Sequence, residues 1–513
     1  LDFYCSRLPS HLGDFKRFLP LRSHLRREAI MALSSPFLLS LVALVIAAAP
    51  LPVESTPTSR AVDDQPTIWA LLVAGSKGYD NYRHQADVCH AYQLLHSKGI
   101  PDERIVVMMY DDIAYHELNP TKGVIVQHPD GPNVYQGVPK HYTGDSVTSE
   151  NFLQVLQGKA RGDGRKVINS GPNDHIFVFF SGHGSSHLLD FPDGILFARK
   201  FIDVIKKMHK KKRYAKMVIY VEACYSGSMF EDSLRKSLNV YAMTAANPFE
   251  QSFGFCVDKY RKTSLGDFFS VNWIEHSERS DLKAKTIFDQ YAVVKRETTT
   301  SHVKQYGDIS INELPLSNFQ GTNKRLRPAT VTIMTADNKH TKVRQETRFS
   351  NAMQYGVASM ANIGVGNFRA KRSQKLQCEP IPSRDMPIAM LKKRMQTAQS
   401  TKERNYLEEK LKKTLSNRAF LERKVAEIAT FVAREKKGIV TSLLTAERNL
   451  RNLDCYEAAV HHFDLKCFSL NANPYALYNL RVLVNACEHG YPLRDITSAM
   501  NSACTHKAVR GIV

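Results

Sequence analysis

The sequence predicts an α/β fold with a mostly parallel sheet flanked by helices, followed by a C-terminal all-α part. Short apolar runs rich in β-branched and aromatic residues alternate with helical periodicity from residue 67 to residue 245, as in a parallel sheet. Beyond residue 387, apolar residues recur at spacings of three and four with charged residues between them, which indicates amphipathic helices. We therefore expect two structurally distinct parts within the 513 residues.

The elements of the α/β part follow in chain order. The apolar run IWALLV opens the sheet, and the next helix stops at the Gly-Ile-Pro sequence of residues 99–101. The glycine- and proline-rich residues 122–144 predict a long surface loop. The predicted strands cover residues 68–73, 104–110, 175–180, 217–221 and 240–245, and the predicted helices cover residues 85–98, 149–156 and 201–208.

The C-terminal part has a different character. Residues 322–375 are polar and basic with few periodic elements, which indicates an exposed linker. Residues 387–450 predict helices, and shorter helices are expected at residues 476–484 and 496–503.

The formal net charge of +20 is unevenly distributed. Residues 65–321 hold 30 Lys and Arg against 28 Asp and Glu, a net of +2, whereas residues 322–513 hold 33 against 16, a net of +17. No aromatic-interleaved basic platform or DNA-reading motif accompanies the charge, so nucleic-acid binding is not expected. The preferred interpretation is a basic C-terminal part that docks on an acidic site of its own chain; a heparin- or nucleic-acid-binding tail is the alternative.

The N-terminal residues have the pattern of a targeting signal. Residues 37–49, which follow Met31, are almost wholly apolar and end in small residues, as in a secretory signal with its cleavage site. The stretch is short for a membrane span, although a signal anchor is an alternative. We expect residues 1–30 to be an upstream or non-native extension, residues 31–53 a signal peptide and residues 54–64 a short propeptide. The mature protein is expected in the lysosome or endosome, or secreted, without a membrane span.

The nine cysteines suit this oxidising route. Cys455, Cys467, Cys487 and Cys504 cluster near the C-terminus, where two disulfides are plausible, and four cysteines allow three pairings. None of the spacings is a CxxC pair, so a zinc site is not expected. Neither a metal nor another cofactor is expected.

The strings SGHG (residues 181–184) and EACYSG (residues 222–227) each directly follow a predicted buried strand. A histidine and a cysteine, His183 and Cys224, therefore leave the same ends of two strands that we expect to be parallel neighbours. Ligands and chemistry sit at that edge of an α/β sheet, and a cysteine near a histidine is the minimal arrangement for thiolate catalysis. The backbone N–H groups of Gly184 and Cys224 are expected to stabilise an oxyanion.

A series of longer motifs, together with these two strings, resembles the legumain family of asparaginyl endopeptidases. The resemblance covers residues 65–321 and recurs in the four-cysteine pattern. It implies a caspase-like α/β fold carrying a Cys/His protease that cleaves after asparagine, and after aspartate at lower pH. The motifs are GYDNYRHQAD (78–87), MMYDDIA (108–114), VYQGVP (134–139), TAANP (244–248), LGD (265–267) and SVNW (270–273).

The resemblance also assigns roles to residues. It implies that Cys224 is the nucleophile, that His183 is the general base and acid, and that Asn81 supports the histidine. The residues implied for the specificity pocket are Arg83, His84, Glu222 and Asp267, with Ser252 on its wall.

Such a pocket makes chemical sense for asparagine. A primary amide offers a carbonyl acceptor and an NH2 donor, which Arg83 can meet on one side and the carboxylates of Glu222 and Asp267 on the other. A substrate aspartate would be repelled by those carboxylates until it is protonated. We therefore expect asparagine preference at about pH 6 and growing aspartate tolerance at about pH 4.

Two positions depart from the family pattern. Gly182 stands immediately before the histidine, where the family usually has an aspartate that is associated with peptide ligation and active-site regulation. Glycine also removes a negative charge beside His183, which is expected to lower its pKa. Tyr225 stands where an acidic residue is frequent. Hydrolysis is expected to survive both changes.

For the C-terminal part, the resemblance implies a death-domain-like inhibitory prodomain, residues 376–513, that caps the active site of a zymogen. The implied pairings are Cys455 with Cys487 and Cys467 with Cys504. Acidification is expected to protonate carboxylates at the docking surface and to weaken the docking.

Activation is expected to require self-cleavage in the linker, residues 322–375. Asn323 is the best candidate site, and Asn338 and Asn351 are alternatives. The implied partners are the prodomain itself, proteins and peptides with exposed asparagine, and cystatin-type inhibitors.

Two other functions are weighed against this interpretation. A related GPI transamidase subunit shares the His and Cys motifs, but it would be expected to carry a C-terminal transmembrane helix. A catalytically silent secreted binding protein of the same fold would be expected to lose His183, Cys224 or a pocket residue, and all are present.

Overall fold

The computed structural model describes residues 66–159, 162, 164–322, 379–434 and 437–513, all of which belong to one compact unit, Asp63–Val513. The expected extension, signal peptide and N-terminal propeptide lie outside the described residues. The same holds for Asn323, Asn338 and Asn351. Within this unit lie two parts, the α/β part (residues 66–322) and the helical part (residues 379–513).

A six-stranded sheet forms the centre of the α/β part, in the order β10-β8-β7-β3-β1-β2. Neighbouring strands are parallel except for β10, which runs antiparallel to β8 at one edge. The mostly parallel sheet expected from the sequence is confirmed. Its strands are β1 (Ile68–Ala74), β2 (Ile105–Met108), β3 (His175–Ser181), β7 (Lys216–Glu222), β8 (Val240–Thr244) and β10 (Lys304–Gly307).

Helices cover both faces of this sheet, which explains why its central strands are continuous apolar runs. All seven residues of β3 are buried. Alternate residues of β1 and β3 enter two separate hydrophobic cores, one shared with α1, α4 and α5 and the other with α2 and α3. These helices are α1 (Tyr82–Ser97), α2 (Ser149–Leu156), α3 (Ala198–Lys210), α4 (Phe268–Arg279) and α5 (Ile287–Glu297), and a short helix, α6 (Ser317–Gln320), follows.

Two of the helices begin earlier than the sequence predicts. Helix α1 begins at Tyr82 and not at residue 85. The sequence did not indicate this first turn because its buried residues Arg83 and His84 are polar and so do not contribute to the apolar periodicity. Helix α3 begins at Ala198, ahead of the exposed Arg199 and Lys200.

Two small sheets complete the α/β part. One is an antiparallel sheet of three strands, β4 (Gly184–Ser185), β5 (Leu188–Asp190) and β6 (Ile195–Phe197). The other joins the two parts of the chain, because β9 (Phe253–Gly254) pairs with β11 (Ile381–Pro382) of the helical part.

The helical part packs around a third hydrophobic core, to which Leu188 and Phe197 of the small sheet contribute. The structure pairs Cys455 with Cys487 and Cys467 with Cys504. None of the helices in the described ranges is long and apolar enough to cross a membrane. The helices are α7 (Met386–Gln396), α8 (Thr401–Val432), α9 (Lys437–Thr445), α10 (Leu453–Lys466), α11 (Arg481–Glu488) and α12 (Leu493–Ala503).

Candidate active site

The predicted neighbourhood of the two motif-bearing strands is confirmed. Strands β3 and β7 are paired in parallel with Ser181 opposite Glu222, and the N–H of Gly182 donates to the carbonyl of Glu222 at 3.0 Å. His183 and Cys224 each lie two residues beyond this last pair, so both leave the carboxyl edge of the sheet at the same level.

The backbone after each strand turns sharply. A Cβ atom on Gly184 would lie 2.6 Å from the carbonyl oxygen of Cys224, so only glycine allows the two strand ends to approach this closely. Tyr225 has a left-handed conformation with φ of 56° and leads into the short helical turn Ser226–Met229. Cys224 thus lies between the end of strand β7 and this helical turn. The oxyanion role of the Gly184 N–H stays a prediction.

The environment of His183 makes it a neutral base. Its Nε2 lies 2.8 Å from Oδ1 of Asn81, an amide oxygen that only accepts, so Nε2 carries the proton. Nδ1 then holds a lone pair, and this buried atom has no hydrogen-bond partner within the described residues. Burial, with a contribution from the cationic Arg83, lowers the pKa of His183 to about 3.

Cys224 is enclosed on several sides. Its Sγ accepts the backbone N–H of Ser252 at 3.3 Å, and the hydroxyls of Ser252 and Tyr478 lie 3.8 and 3.9 Å away. Burial raises the pKa of the Cys224 thiol, and the contacts with Ser252 and Tyr478 oppose that shift in part. The thiol is therefore neutral in the state described here.

The expected pocket residues lie beside this pair. Arg83 Nε donates to Asp267 Oδ1 at 2.9 Å, and Glu222 Oε2 accepts both the N–H and the hydroxyl of Ser270 at 3.1 Å. His84 Nε2 lies 3.7 Å from Asp267 Oδ2. Arg83, Glu222 and Asp267 are each 1% exposed.

Three polar atoms of this pocket lack partners. Arg83 Nη2, Glu222 Oε1 and Asp267 Oδ2 are buried and form no hydrogen bond with any described residue. A buried polar atom without a partner is costly, and natural structures hold few of them. Arg83 Nη2 can therefore donate a hydrogen bond, and the two carboxyl oxygens can accept one, from a polar group that enters the pocket.

Segment 381–384 of the helical part lies across the site. Strand β11 pairs antiparallel with β9, with Ile381 opposite Gly254, and the N–H of Ser383 donates to the carbonyl of Ser252 at 3.1 Å. The hydroxyls of Ser383 and Ser252 are 3.4 Å apart. The two extended residues and the short helical turn Ser383–Asp385 that follows them thus lie across the approach to Cys224.

Helical elements further along the chain cover the rest of the site. Tyr478 contacts Cys224. Three residues further along the chain, Arg481 Nη2 donates to the hydroxyl of Tyr225 at 3.3 Å. Tyr456, on α10, donates its hydroxyl to the carbonyl of Ser186 at 2.8 Å. Ser186 lies between strands β4 and β5 of the three-stranded sheet.

Two described ion pairs between the two parts have the opposite polarity to the expected one. Arg199 of the α/β part pairs with Asp454 and Glu457 of the helical part. The expectation of a basic C-terminal part on an acidic rim is wrong at this position, although acidification would weaken the contact in either arrangement.

Sequence reasoning missed three residues of the site. Ser383 and Tyr478, which cover Cys224, and Asp87, which lies behind Asp267, received no role. Asp87 stands inside the GYDNYRHQAD motif, one helical turn after Arg83, and that spacing could have placed it on the same helix face. No signal in the sequence marks Ser383 or Tyr478.

Comparison with known proteins places this geometry in a family. Residues 68–322 match the model of the peptidase C13 family, and residues 409–504 match the model of the legumain prodomain. Legumain of Homo sapiens is 41% identical over 449 residues, which are 85% of this chain and 92% of that protein. The chain belongs to the legumain family.

Other relatives extend the same result. Legumain of Canavalia ensiformis is 38% identical over 87% of this chain and 90% of its own length, and hemoglobinase of Schistosoma mansoni is 36% identical over 92% and 100%. A solved caspase-1 from Spodoptera frugiperda matches 51% of the chain at 11% identity with a TM-score of 0.32, which is too low to bear on function.

Membership of the legumain family makes the chain a cysteine endopeptidase that is produced as a zymogen with its own prodomain. The α/β part is the catalytic domain, and the helical part contains the prodomain. A GPI-transamidase-like enzyme and a silent binding protein are not favoured.

Proposed function

We propose that this legumain-family endopeptidase hydrolyses the peptide bond on the carboxyl side of asparagine, and of aspartate at lower pH. The observation that carries the proposal is the set of unpartnered atoms in the pocket: Arg83 Nη2, Glu222 Oε1 and Asp267 Oδ2. Their pattern of one donor and two acceptors is complementary to a primary amide.

The protonation of the pocket favours the amide over a carboxylate. Burial raises the pKa of Glu222 well above its ordinary value, and the neighbouring Asp267 adds to the shift. A substrate carboxylate would add another negative charge beside these buried carboxyls, whereas the NH2 of a neutral amide donates to a carboxyl oxygen without adding charge. A substrate aspartate is accepted once it is protonated, so its cleavage rises on acidification.

The geometry supports a thiolate mechanism. His183 Nδ1 takes the proton of the Cys224 thiol, and Sγ attacks the substrate carbonyl carbon, whose oxyanion the N–H groups of Gly184 and Cys224 stabilise. The imidazolium then gives its proton to the leaving amine as the C–N bond breaks. Water, deprotonated by His183, attacks the thioester and releases the acid and the thiol.

The prodomain keeps this chemistry inactive. Both reacting groups are neutral while covered, because burial lowers the pKa of His183 and raises that of Cys224. Removal of segment 381–384 and Tyr478 would admit water and substrate, which reduces the burial that causes both shifts. The thiolate and imidazolium forms then become accessible.

We place activation in the linker, with Asn323 as the first self-cleavage site. The expected compartment is the lysosome or endosome, or the exterior of the cell, and the expected partners are proteins with exposed asparagine and cystatin-type inhibitors. Mass spectrometry of Asn323→Gln during maturation at acid pH tests this site. Unchanged processing after residue 323 would rule it out.

The specificity is tested on acid-activated enzyme with four peptides that differ only in the residue before the cleaved bond: Asn, Asp, Gln and Lys. We expect cleavage after Asn at all mildly acidic pH values, cleavage after Asp that rises on acidification, and little after Gln or Lys. Cys224→Ser serves as the inactive control. Equal cleavage after Lys, or an active Cys224→Ser, would overturn the proposal.

A further inference from the structure

An asparagine side chain of the prodomain is bound by the catalytic domain at a place outside the specificity pocket. Nδ2 of Asn471 donates to Oδ1 of Asp190 at 3.0 Å and to the backbone carbonyl of Phe191 at 2.6 Å. A primary amide has two N–H bonds, one for each of these acceptors. Asp190 is 5% exposed and Phe191 is 1% exposed, so the two acceptors form a buried site for an amide NH2 group.

This site lies directly beside His183. Asp190 is the last residue of strand β5, and its backbone N–H donates to the carbonyl of His183 at 3.0 Å. On the neighbouring strand β4, the hydroxyl of Ser185 donates to the carbonyl of Leu477 at 2.6 Å. The three-stranded sheet thus holds the prodomain at two points, one near each end of segment 471–478.

Segment 471–478 also carries the residue that covers Cys224. Its last residue is Tyr478, whose hydroxyl lies 3.9 Å from Sγ of Cys224. Most of the segment belongs to one short helical turn, Pro474–Asn479, so Tyr478 is only a few residues from the bound side chain of Asn471. We therefore expect that a segment released at Asn471 also holds Tyr478 less firmly over the sulfur.

An uncharged donor suits this site better than a charged or acidic one. Burial raises the pKa of Asp190 well above its ordinary value, the carboxyl of Asp464 adds to the shift, and the ammonium of Lys77 opposes it in part. A neutral amide can donate to Asp190 in either protonation state, because a carboxylate and a carboxylic acid both keep an acceptor oxygen. A carboxyl at position 471 would instead face Asp190 without an N–H donor and with a like charge.

We propose that Asp190 and the carbonyl of Phe191 form an anchor site for a primary amide on the catalytic domain, and that Asn471 occupies this anchor site in the zymogen and thereby keeps Tyr478 over Cys224. The inference rests on the proposed covering of Cys224 by the prodomain. It does not depend on the specificity for asparagine before the cleaved bond. The ligand class of the anchor site is a neutral primary amide, and a carboxylate is excluded from it.

The test measures how fast a thiol-alkylating reagent modifies Cys224 in the uncleaved zymogen at neutral pH, with mass spectrometry as the readout. Asn471→Asp removes both N–H donors and adds a carboxyl opposite Asp190, so alkylation is expected to be about tenfold faster than in the wild type, or more. Asp190→Asn keeps an acceptor oxygen for Asn471, so its rate is expected to stay within about twofold of the wild-type rate.

A double variant with the two side chains exchanged separates this contact from a general loss of structure. In Asp190→Asn, Asn471→Asp the amide lies on the catalytic domain and the carboxyl on the prodomain, so one N–H···O hydrogen bond is restored. Its alkylation rate is expected to return to within about threefold of the wild-type rate. Asn501→Asp adds the same charge at an exposed position of α12 and is expected to leave the rate unchanged.

The proposal is overturned if Asn471→Asp reacts no faster than the wild type or than Asn501→Asp, if Asp190→Asn reacts as fast as Asn471→Asp, or if the double variant stays as fast as Asn471→Asp. If Asn471→Asp does not fold, as judged by thermal unfolding, the double variant decides: a protected thiol supports the anchor site, and an unprotected thiol or an unfolded protein overturns it. A wild-type zymogen whose Cys224 reacts as fast as that of the acid-activated enzyme would overturn the proposed covering itself, whereas a protected wild-type thiol with an unaffected Asn471→Asp would overturn only the anchor site.

Discussion

The hydroxyl of Tyr478 lies 3.9 Å from Sγ of Cys224, although the two residues are 254 positions apart in the chain. The prodomain therefore reaches the sulfur of Cys224, in addition to the rim of the site. Ser383 reaches the neighbouring Ser252 in the same way. The proposed inhibition thus depends on contacts at the centre of the site.

Tyr478→Ala is expected to loosen the cover over Cys224. The variant loses the aromatic ring as well as the hydroxyl, so the uncleaved zymogen should react about tenfold faster with a thiol-alkylating reagent at constant pH. Tyr478→Phe keeps the ring and is the matched control, since a long S···O contact contributes little. The measurement is the alkylation rate by mass spectrometry. Equal rates for wild type and Tyr478→Ala would contradict the prediction.

Arg83→Lys is expected to cost more than its conservative character suggests. Arg83 donates to Asp267 through Nε, and its Nη2, which forms no hydrogen bond with any described residue, meets the substrate oxygen in the proposed specificity. The single ammonium of lysine cannot serve both positions. We expect kcat/KM for the Asn peptide to fall about a hundredfold or more. Active-site titration of the variant counts correctly folded enzyme. A loss below about threefold would show that Arg83 does not meet the substrate.

The strands and the neighbouring positions of His183 and Cys224 could be predicted from the sequence because both depend on local patterns. The central strands are apolar throughout since helices cover both faces, and glycine-flanked turns follow them. The start of α1 was missed because its buried residues are polar, so periodicity gives no signal there. Ser383 and Tyr478 were missed because their contacts span 131 and 254 positions, and no local pattern encodes such a pairing.

The stability of the zymogen is expected to fall on acidification, in part through His183. Its pKa is about 3 in the folded state and about 6.5 when unfolded. Between these values the unfolded chain binds more protons, so the free energy of unfolding decreases as the pH falls, by about 1.4 kcal/mol per pH unit for this group.

The measurement is denaturant unfolding of the Cys224→Ser zymogen from pH 7 to pH 4, which avoids self-cleavage. In a Cys224→Ser, His183→Gln double variant, the slope between pH 6 and pH 4 should be flatter by about one proton. An identical slope in the two proteins would mean that His183 is not held neutral in the covered state.

The neighbours of Gly182 leave little room for a side chain at this position. A Cβ atom there would lie 2.8 Å from Cζ of Phe180 and 3.1 Å from Cα of Gly75, so an aspartate at this position requires a shift of Phe180. Gly182→Ala is expected to cost about 1–3 kcal/mol of unfolding free energy through this overpacking, and Gly182→Asp at least as much.

A second substitution tests whether Phe180 is the neighbour that crowds position 182. Phe180→Leu replaces the crowding ring by a smaller side chain. The loss of unfolding free energy caused by Gly182→Ala should therefore be smaller in a Phe180→Leu background than in the wild type. Thermal or denaturant unfolding of the four proteins of this double-mutant cycle gives the coupling between the two positions. Strict additivity would show that the contact with Phe180 does not exclude a side chain at position 182, and that the backbone of Gly75 does.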